Sequence, residues 1–282
     1  MKSINVIVSV IIAAILAIPS IAFAAGVGSP ASPDSPKGPG VFSLKQSKNL
    51  DIKVGGDIDL LFGRDIKGNG TSVSGAKITS GQWYMGKISC TLFNRFSPYV
   101  ELGTARLKAK WTENGQDVKL ESDTNFAWGL GGKFLIWDFQ KPKIKLITDG
   151  LYRASELDAE KGTAGGSSIN NLDKSKSFAM LREWQIALIA AGEFDVTGGK
   201  SEEVLGVSTI LPYAGIKYSD ISGRFKLEQS TGNFYNPGKI KSDRNVGIVF
   251  GCDFVGPNSV SLNLEGRLID EEAFTGGLTV LF

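Results

Sequence analysis

No histidine occurs anywhere in the 282 residues, and cysteine appears only at Cys90 and Cys252. The first absence removes the side chain that most often serves as a general base near neutral pH, and the commonest metal ligand with it. The second excludes a disulfide framework, so the fold must be stabilised some other way. A net charge of +2 gives no electrostatic case for nucleic acid. Long apolar runs are scarce as well. Beyond the start of the chain, no stretch approaches the roughly 18 consecutive apolar residues of a membrane helix.

The start itself carries Lys2, the apolar run INVIVSVIIAAILAI and then PSIAFA. A charged n-region, an h-region and the small-x-small site Ala22-Phe23-Ala24 predict a signal peptide over 1–24, cleaved after Ala24. An uncleaved anchor is the alternative, since the run is nearly long enough to span a bilayer. Pro19 and the cleavage site favour removal, and the lack of a following cysteine argues against a lipid-anchored lipoprotein. Residues 25–48 place Pro30, Pro33, Pro36 and Pro39 among serines and glycines, a composition that reads as a flexible linker.

From Asn49 onward, apolar and polar residues alternate in segment after segment, the period of a strand with two unlike faces. Ten strands are expected, near 50–63, 80–93, 98–111, 123–137, 141–154, 180–195, 211–228, 243–254, 259–270 and 272–282, with eight or twelve as other counts. In the first, Ile52, Val54, Ile58, Leu60 and Phe62 oppose Asp51, Lys53, Asp57 and Asp59. The ninth sets Val260, Leu262, Leu264 and Leu268 against Ser261, Asn263, Glu265 and Arg267. Two segments break step. The third needs a shift of parity between Leu102 and Leu107, and the seventh one near Ser219 and Asp220, if apolar residues are to stay on one face; a bulge would supply each.

Such alternation suits a soluble sandwich or lipocalin-like barrel with its apolar face inward. It also suits a membrane barrel with that face toward lipid. Three features favour the second. The strands exceed the soluble mode of about 5–6 residues. Short connections (NRFS, DFQ, GPN) tend to alternate with long polar ones, although 196–210 is long for a periplasmic turn and the connection between the ninth and tenth strands is short for an outer loop. Aromatics gather near strand ends: Phe93, Phe96, Tyr99, Trp137, Phe139, Phe194, Tyr213, Phe254 and Phe282 on the turn side, and Trp83, Trp111, Tyr152 and Trp184 toward the loops. With its signal peptide, its alternating strands and a last strand, EEAFTGGLTVLF, that ends on Phe282, the chain resembles the bacterial outer-membrane β-barrel proteins. That resemblance covers 49–282 and implies an antiparallel up-and-down transmembrane barrel in the outer membrane. It also implies Phe282 as a signal to the barrel-assembly machinery, and membrane lipids as partners.

The inward parity then carries Lys53, Asp57, Asp59, Lys87, Glu101, Lys143, Lys145, Asp149, Arg153, Glu183, Glu193, Lys217, Glu265 and Arg267. They are expected either to line a selective pore or to neutralise one another in an internal network. Inward Gly129, Gly131, Gly247, Gly251 and Gly277 suggest spare room. Other motifs fail. GGKS at 198–201 lacks the first glycine of a phosphate loop, because Phe194 stands there. Carboxylates at Glu121, Asp123, Glu156, Asp158 and Glu160 lack the spacing of a calcium loop, and no metal or cofactor is expected. Enzymes of the resembled class, such as the omptin proteases, generally use a histidine base, so no enzymatic activity is expected. The leading expectation is a narrow porin-like channel for ions or small solutes. Its alternative is a closed structural or adhesin-like barrel, whose loops 155–179 and 229–242 bind an external partner.

Overall fold

The computed structural model describes residues 50–70, 72–169, 172–196, 207–231, 234–256 and 260–281. The expected signal peptide with Ala24, the linker, the GGKS turn and Phe282 lie outside the described residues.

Ten long antiparallel strands close into a ring: β1 (Leu50–Gly68), β2 (Val73–Leu92), β3 (Phe96–Glu113), β5 (Asn125–Gln140), β6 (Lys143–Ala164), β8 (Phe178–Gly192), β10 (Thr209–Glu228), β13 (Val246–Val255), β14 (Val260–Leu268) and β15 (Glu272–Leu281). Each pairs with the next of these, and β15 pairs back on β1, with Lys53 opposite Leu281 and Leu60 opposite Phe274. No strand edge is left open in the ring, as a sheet in hydrocarbon requires, because an unpaired backbone group there costs several kcal/mol. The fold is the up-and-down transmembrane barrel expected from the sequence.

A second, smaller ring sits on top of the first. β4 (Gln116–Ser122) wedges between the upper ends of β3 and β6, and β12 (Lys239–Ser242) between those of β10 and β1. Meanwhile β5, β13, β14 and β15 end lower down. The upper ring therefore runs β1-β2-β3-β4-β6-β8-β10-β12 and closes with eight strands. Three two-residue strands, β7 (Ser167–Ser168), β9 (Phe194–Asp195) and β11 (Phe234–Tyr235), trim its edge and the opposite rim. Local chemistry makes the tight reversals. Asn114-Gly115 joins β3 to β4 with φ of 51° and 76°, and Gly165-Gly166 joins β6 to β7 with 56° and 81°. Two successive positive φ values define the hairpin turn that Asn-Gly and Gly-Gly adopt readily.

Strand β3 shows how the two rings differ. Facing out from the bottom are Phe96, Val100 and Leu102, then Thr104, Arg106, Lys108 and Lys110; facing in are Ser97, Tyr99 and Glu101, then Ala105, Leu107, Ala109 and Trp111. The strand keeps its register with β5 from Phe96 to Ala105 and with β4 from Lys108 to Glu113. Polarity inverts above Gly103 while parity does not. β10 does the same, passing from inward Tyr213 and Lys217 to inward Ile221, Phe225 and Leu227 in unbroken register with β8. The bulges expected in these two strands are thus replaced by inversion: Leu107 and Leu227 point inward because the solvent outside them is water. A bulge does occur in β1, between Leu61 and Gly63, where it turns Arg64 into the interior.

Long connections read from the sequence are largely folded for the same reason. Residues 155–164 continue β6, and 239–242 form β12. Below the inversion, Trp184, Ile186, Leu188, Ala190 and Gly192 face out along β8, and Arg182 follows above. About nine residues at a rise of about 3.3 Å and a tilt of about 40° reach roughly 23 Å, close to the apolar band of an outer-membrane barrel. Exposed Phe93, Phe96, Trp137, Phe139 and Phe194 mark its lower edge. Its upper edge carries Trp128 against Tyr152, with ring centroids 5.7 Å apart, and Trp184 against Tyr218 at 5.1 Å. Four aromatics assigned to the girdles lie elsewhere: Tyr99, Tyr213, Trp83 and Trp111 point into the barrel and are buried.

Candidate functional site

The interior is the candidate site, and its contents change with height. Of the residues expected to face inward, Lys53, Asp59, Glu101, Lys145, Asp149, Arg153, Glu183, Lys217, Glu265 and Arg267 are buried within the barrel, while Asp57, Lys87 and Glu193 are partly buried. Lys143 departs from the expectation. Its side chain is 51% exposed at the lower rim, where it pairs with Asp195 at 2.6 Å and Glu193 at 3.5 Å. It opens β6 just after the Lys141-Pro142 turn, so little barrel wall remains beside it.

At mid-height the charges meet in one cluster. Arg153 donates to Asp59 at 2.9 Å and to Glu183 at 2.7 Å. Arg64 donates to Glu183 at 2.5 Å and Glu271 at 3.1 Å, and its other nitrogen to the Ser219 and Ser242 hydroxyls at 2.8 and 3.0 Å. Arg267 reaches Asp59 at 3.2 Å, Glu265 at 3.0 Å and Glu271 at 2.8 Å. Lys217 pairs with Glu271 and, at 2.9 Å, with Asp270. Four cations thus stand among five carboxylates, near balance. In a low-dielectric interior, charges are tolerated only when paired and hydrogen-bonded in this way.

Sequence reasoning missed three members. Arg64 was hidden by the bulge that reverses its parity, and Asp270 and Glu271 fall in the tight β14–β15 connection, which folds inward. The only signal was the acidic run Asp270-Glu271-Glu272 in a connection too short for an outer loop. Its first residue, Ile269, has φ of 87°, a conformation that β-branched side chains rarely adopt.

Below this cluster the spare room suggested by the glycines is taken by neighbours. A Cβ on Gly131 would lie 2.3 Å from the Tyr99 ring, and one on Gly251 2.5 Å from the Tyr213 ring. On Gly277 it would meet Asp57 at 2.3 Å, and on Gly247, at the level of the cluster itself, Asp270 at 1.9 Å. These glycines are slots that receive larger side chains. Tyr99 then donates to Asp149 at 3.0 Å, and Tyr213 to Glu265 at 2.8 Å. Lys87 pairs with Asp57 at 3.2 Å and Glu101 at 2.8 Å, and sits 4.3 Å from the centroid of the Tyr99 ring. The cavity left beside Asp57, Lys87, Tyr99, Lys133 and Asn263 is about 20 Å³, room for a single water.

Above the cluster the interior is apolar and packed. Ile66, Ile78, Trp83, Leu107, Trp111, Val118, Leu120, Leu157, Leu181, Ile221, Phe225, Leu227 and Ile240 form one buried apolar core inside the upper ring. Trp111 and Phe225 pack with ring centroids 6.2 Å apart. Eight strands enclose just enough width for side chains to fill, and here they do. Arg153 lies 4.1 Å from the Trp83 ring centroid, the contact where the charged layer meets the apolar one. Cys90 and Cys252 are free thiols on β2 and β13.

No family model matches the chain, and no curated protein matches it. Among solved structures, the translocator domain of the autotransporter NalP from Neisseria meningitidis overlaps with a TM-score of 0.37 at 12% identity, over 84% of this chain and 89% of that one. The outer membrane protein OprG from Pseudomonas aeruginosa gives 0.36 and 12%, over 83% and 96%. The transport unit of the autotransporter AIDA-I from Escherichia coli gives 0.36 and 10%, over 86% and 93%. Overlaps this loose carry no inference about activity. The barrel class rests on the chain's own strand pairing and polarity.

Proposed function

We propose that the protein is a closed, non-enzymatic barrel of the bacterial outer membrane that holds a rigid β extension outside the cell. One observation carries the reading: along the barrel axis, a layer of paired charges gives way to a dry apolar core rather than to an aqueous opening. A porin-like conduit would need polar, hydrated walls along its whole length. The orientation follows from the connections. Both ends of the described barrel, Leu50 and Leu281, lie at the rim that carries three short turns, β2–β3, β5–β6 and β13–β14, beside the longer β8–β10 connection; in this class the rim of short turns is periplasmic. Lipids surround the lower ring, and the assembly machinery is the partner that inserts it. Refolded protein in planar bilayers should show no unitary conductance steps at moderate voltage. Steady, ion-selective steps from the unmodified protein would overturn this reading.

A channel remains the second reading because of one feature, the inward β14–β15 turn. Asp270 and Glu271 hold it down, and Ile269 carries backbone strain. If that turn is a gate, the pair Asp270→Asn and Glu271→Gln should produce conductance bursts. A silent, folded double variant leaves the closed barrel standing alone.

A further inference from the structure

One joint of the membrane-spanning ring lacks a continuous ladder. β1 and β2 pair at their lower ends, from Leu50 opposite Leu92 to Ile52 opposite Cys90, and again at the top, where Arg64 faces Ile78 and Asp65 faces Lys77. Between those ends, over residues 53–63 and 79–89, no ladder pair joins them. Each strand is bonded on its other side over the same stretch, β1 to β15 from Lys53 to Leu61 and β2 to β3 from Ser80 to Ser89. The two strands nevertheless stay side by side. A Cβ on Gly81 would lie 3.4 Å from the Leu61 Cβ, and one on Gly56 3.7 Å from the Met85 carbonyl oxygen. The ring is closed here by contact rather than by hydrogen bonds. By comparison, β6 and β8 pair without a break from Ile144 opposite Gly192 to Asp158 opposite Phe178.

The residues at the joint explain its weakness. The register is the same at both ends, and carried across it sets Gly56 opposite Gly86, both exposed on the lipid face. Glycine weakens a strand interior because it has no side chain to pack, and opposed glycines remove the cross-strand pair that stabilises a sheet. Gly55 beside Gly56 loosens β1 further. On the inner side, Lys87 of β2 reaches across to Asp57 of β1 at 3.2 Å, so an ion pair spans the joint where backbone bonds do not. The cavity of about 20 Å³ lies at the same place, lined from β1 by Gly55 and Asp57 and from β2 by Lys87 and Ser89. Backbone groups left unpaired in hydrocarbon cost several kcal/mol each. Water on the inner side can supply the partners that lipid cannot. We propose that the β1–β2 joint is a lateral seam. Between its bonded ends the two strands part within the membrane, and water from the polar interior satisfies their facing backbone groups. The upper ring stays shut, because the Arg64 and Asp65 pairings hold the joint from above.

The test is amide hydrogen exchange of the full mature protein in lipid nanodiscs, resolved residue by residue by NMR. Successive backbone amides of an antiparallel strand point to opposite neighbours. Over 53–61 and 81–89, alternate amides should therefore exchange about 100-fold faster than those between them, and than the amides of β6 and β8. A disulfide can lock the seam. Ile58→Cys with Tyr84→Cys, which the same register sets opposite one another, would be made with Cys90→Ser and Cys252→Ser. Oxidation should slow the fast set by about tenfold or more, and reduction should restore it. Equal protection of successive amides in the unmodified protein would overturn the proposal, because the joint would then be laddered. Fast exchange of every amide in β1 would also overturn it, since the strand would be melting as a whole. So would a formed disulfide that leaves the fast set unchanged.

Discussion

Gly131→Ala is the smallest change that asks whether the barrel interior is filled. The added Cβ would sit 2.3 Å from the Tyr99 ring and 2.4 Å from its hydroxyl. Ordinary contact needs about 3.4 Å or more, so the ring must retreat by about an ångström. It has nowhere easy to go, because Lys87 lies over one face and the hydroxyl is tied to Asp149 at 3.0 Å. Overpacking of this kind costs about 1–3 kcal/mol. Leaving a buried carboxyl oxygen without its donor adds about 1–3 kcal/mol. The variant should therefore lose about 2–6 kcal/mol in a urea titration in lipid vesicles, followed by tryptophan fluorescence. The companion Tyr99→Ala empties the slot. In that background Gly131→Ala should cost within about 0.5 kcal/mol of nothing, giving a large coupling in the double-mutant cycle. Were Gly131→Ala harmless in the native background, or equally costly without Tyr99, the slot would not exist and the open-lumen expectation would return.

Glu183→Gln should destabilise by about 3–5 kcal/mol in the same titration, because it leaves Arg64 and Arg153 short of a counter-charge in the interior; an unchanged midpoint would mean the cluster is solvated. Leu264→Arg, on the lipid face of β14, should cost about 2–4 kcal/mol, whereas the reverse exchange Arg224→Leu, outward on the upper ring, should change little. Similar penalties at both sites would place the polarity inversion wrongly. Lys108 and Arg106 hold the half-buried Glu121 carboxyl below its usual range. A depressed carboxylate contributes fully above its unfolded pKa and loses that contribution as pH falls through the lower folded value. Near-ultraviolet circular dichroism of the upper ring should therefore stay constant from neutral pH through the ordinary carboxylate range. Solvent reaches both lysine and arginine partners, which makes the loss below that small.

Strand count and placement were legible because lipid-facing alternation is a two-residue signal that needs no tertiary knowledge. Phe126, Trp128 and Leu130 against Gly129 and Gly131 is enough to place β5. What could not be read was the meaning of a pattern that changes phase. In β3 and β10 the outward residues turn from apolar to charged at the same point where the inward ones turn from charged to apolar. On paper this looks like a slip of one residue. Only the register, continuous for β10 against β8 and for β3 against β2 from Tyr99 to Lys108, shows that the environment changed and the parity did not. The glycines misled for a related reason. A sequence shows that Gly131 has no side chain, but not that Tyr99 comes from the neighbouring strand to occupy the space. Arg64 and Glu271 needed the bulge and the inward turn, neither of which leaves a periodic trace.

The inversion also explains why the barrel narrows. A ten-stranded ring with an apolar interior would leave its centre unfilled, and voids in an apolar core forfeit the contacts that stabilise it. In the lower ring, the long side chains of Arg64, Arg153, Arg267 and Lys217 cross the width and find carboxylates on the far walls. Above the lipid, Leu, Ile and Ala side chains are too short for that. The chain ends β5, β13, β14 and β15 there and inserts only β4 and β12, and eight strands are few enough for Trp111, Phe225 and Leu227 to meet. Six strands run without interruption through both rings, so the outer ring is not a loop region resting on a membrane anchor. Its apolar core and the charged layer below share the same backbone, and a motion that opened one would have to break the hydrogen-bonded ladders of the other. That shared framework is why a closed, rigid extension fits this sequence better than a gated pore.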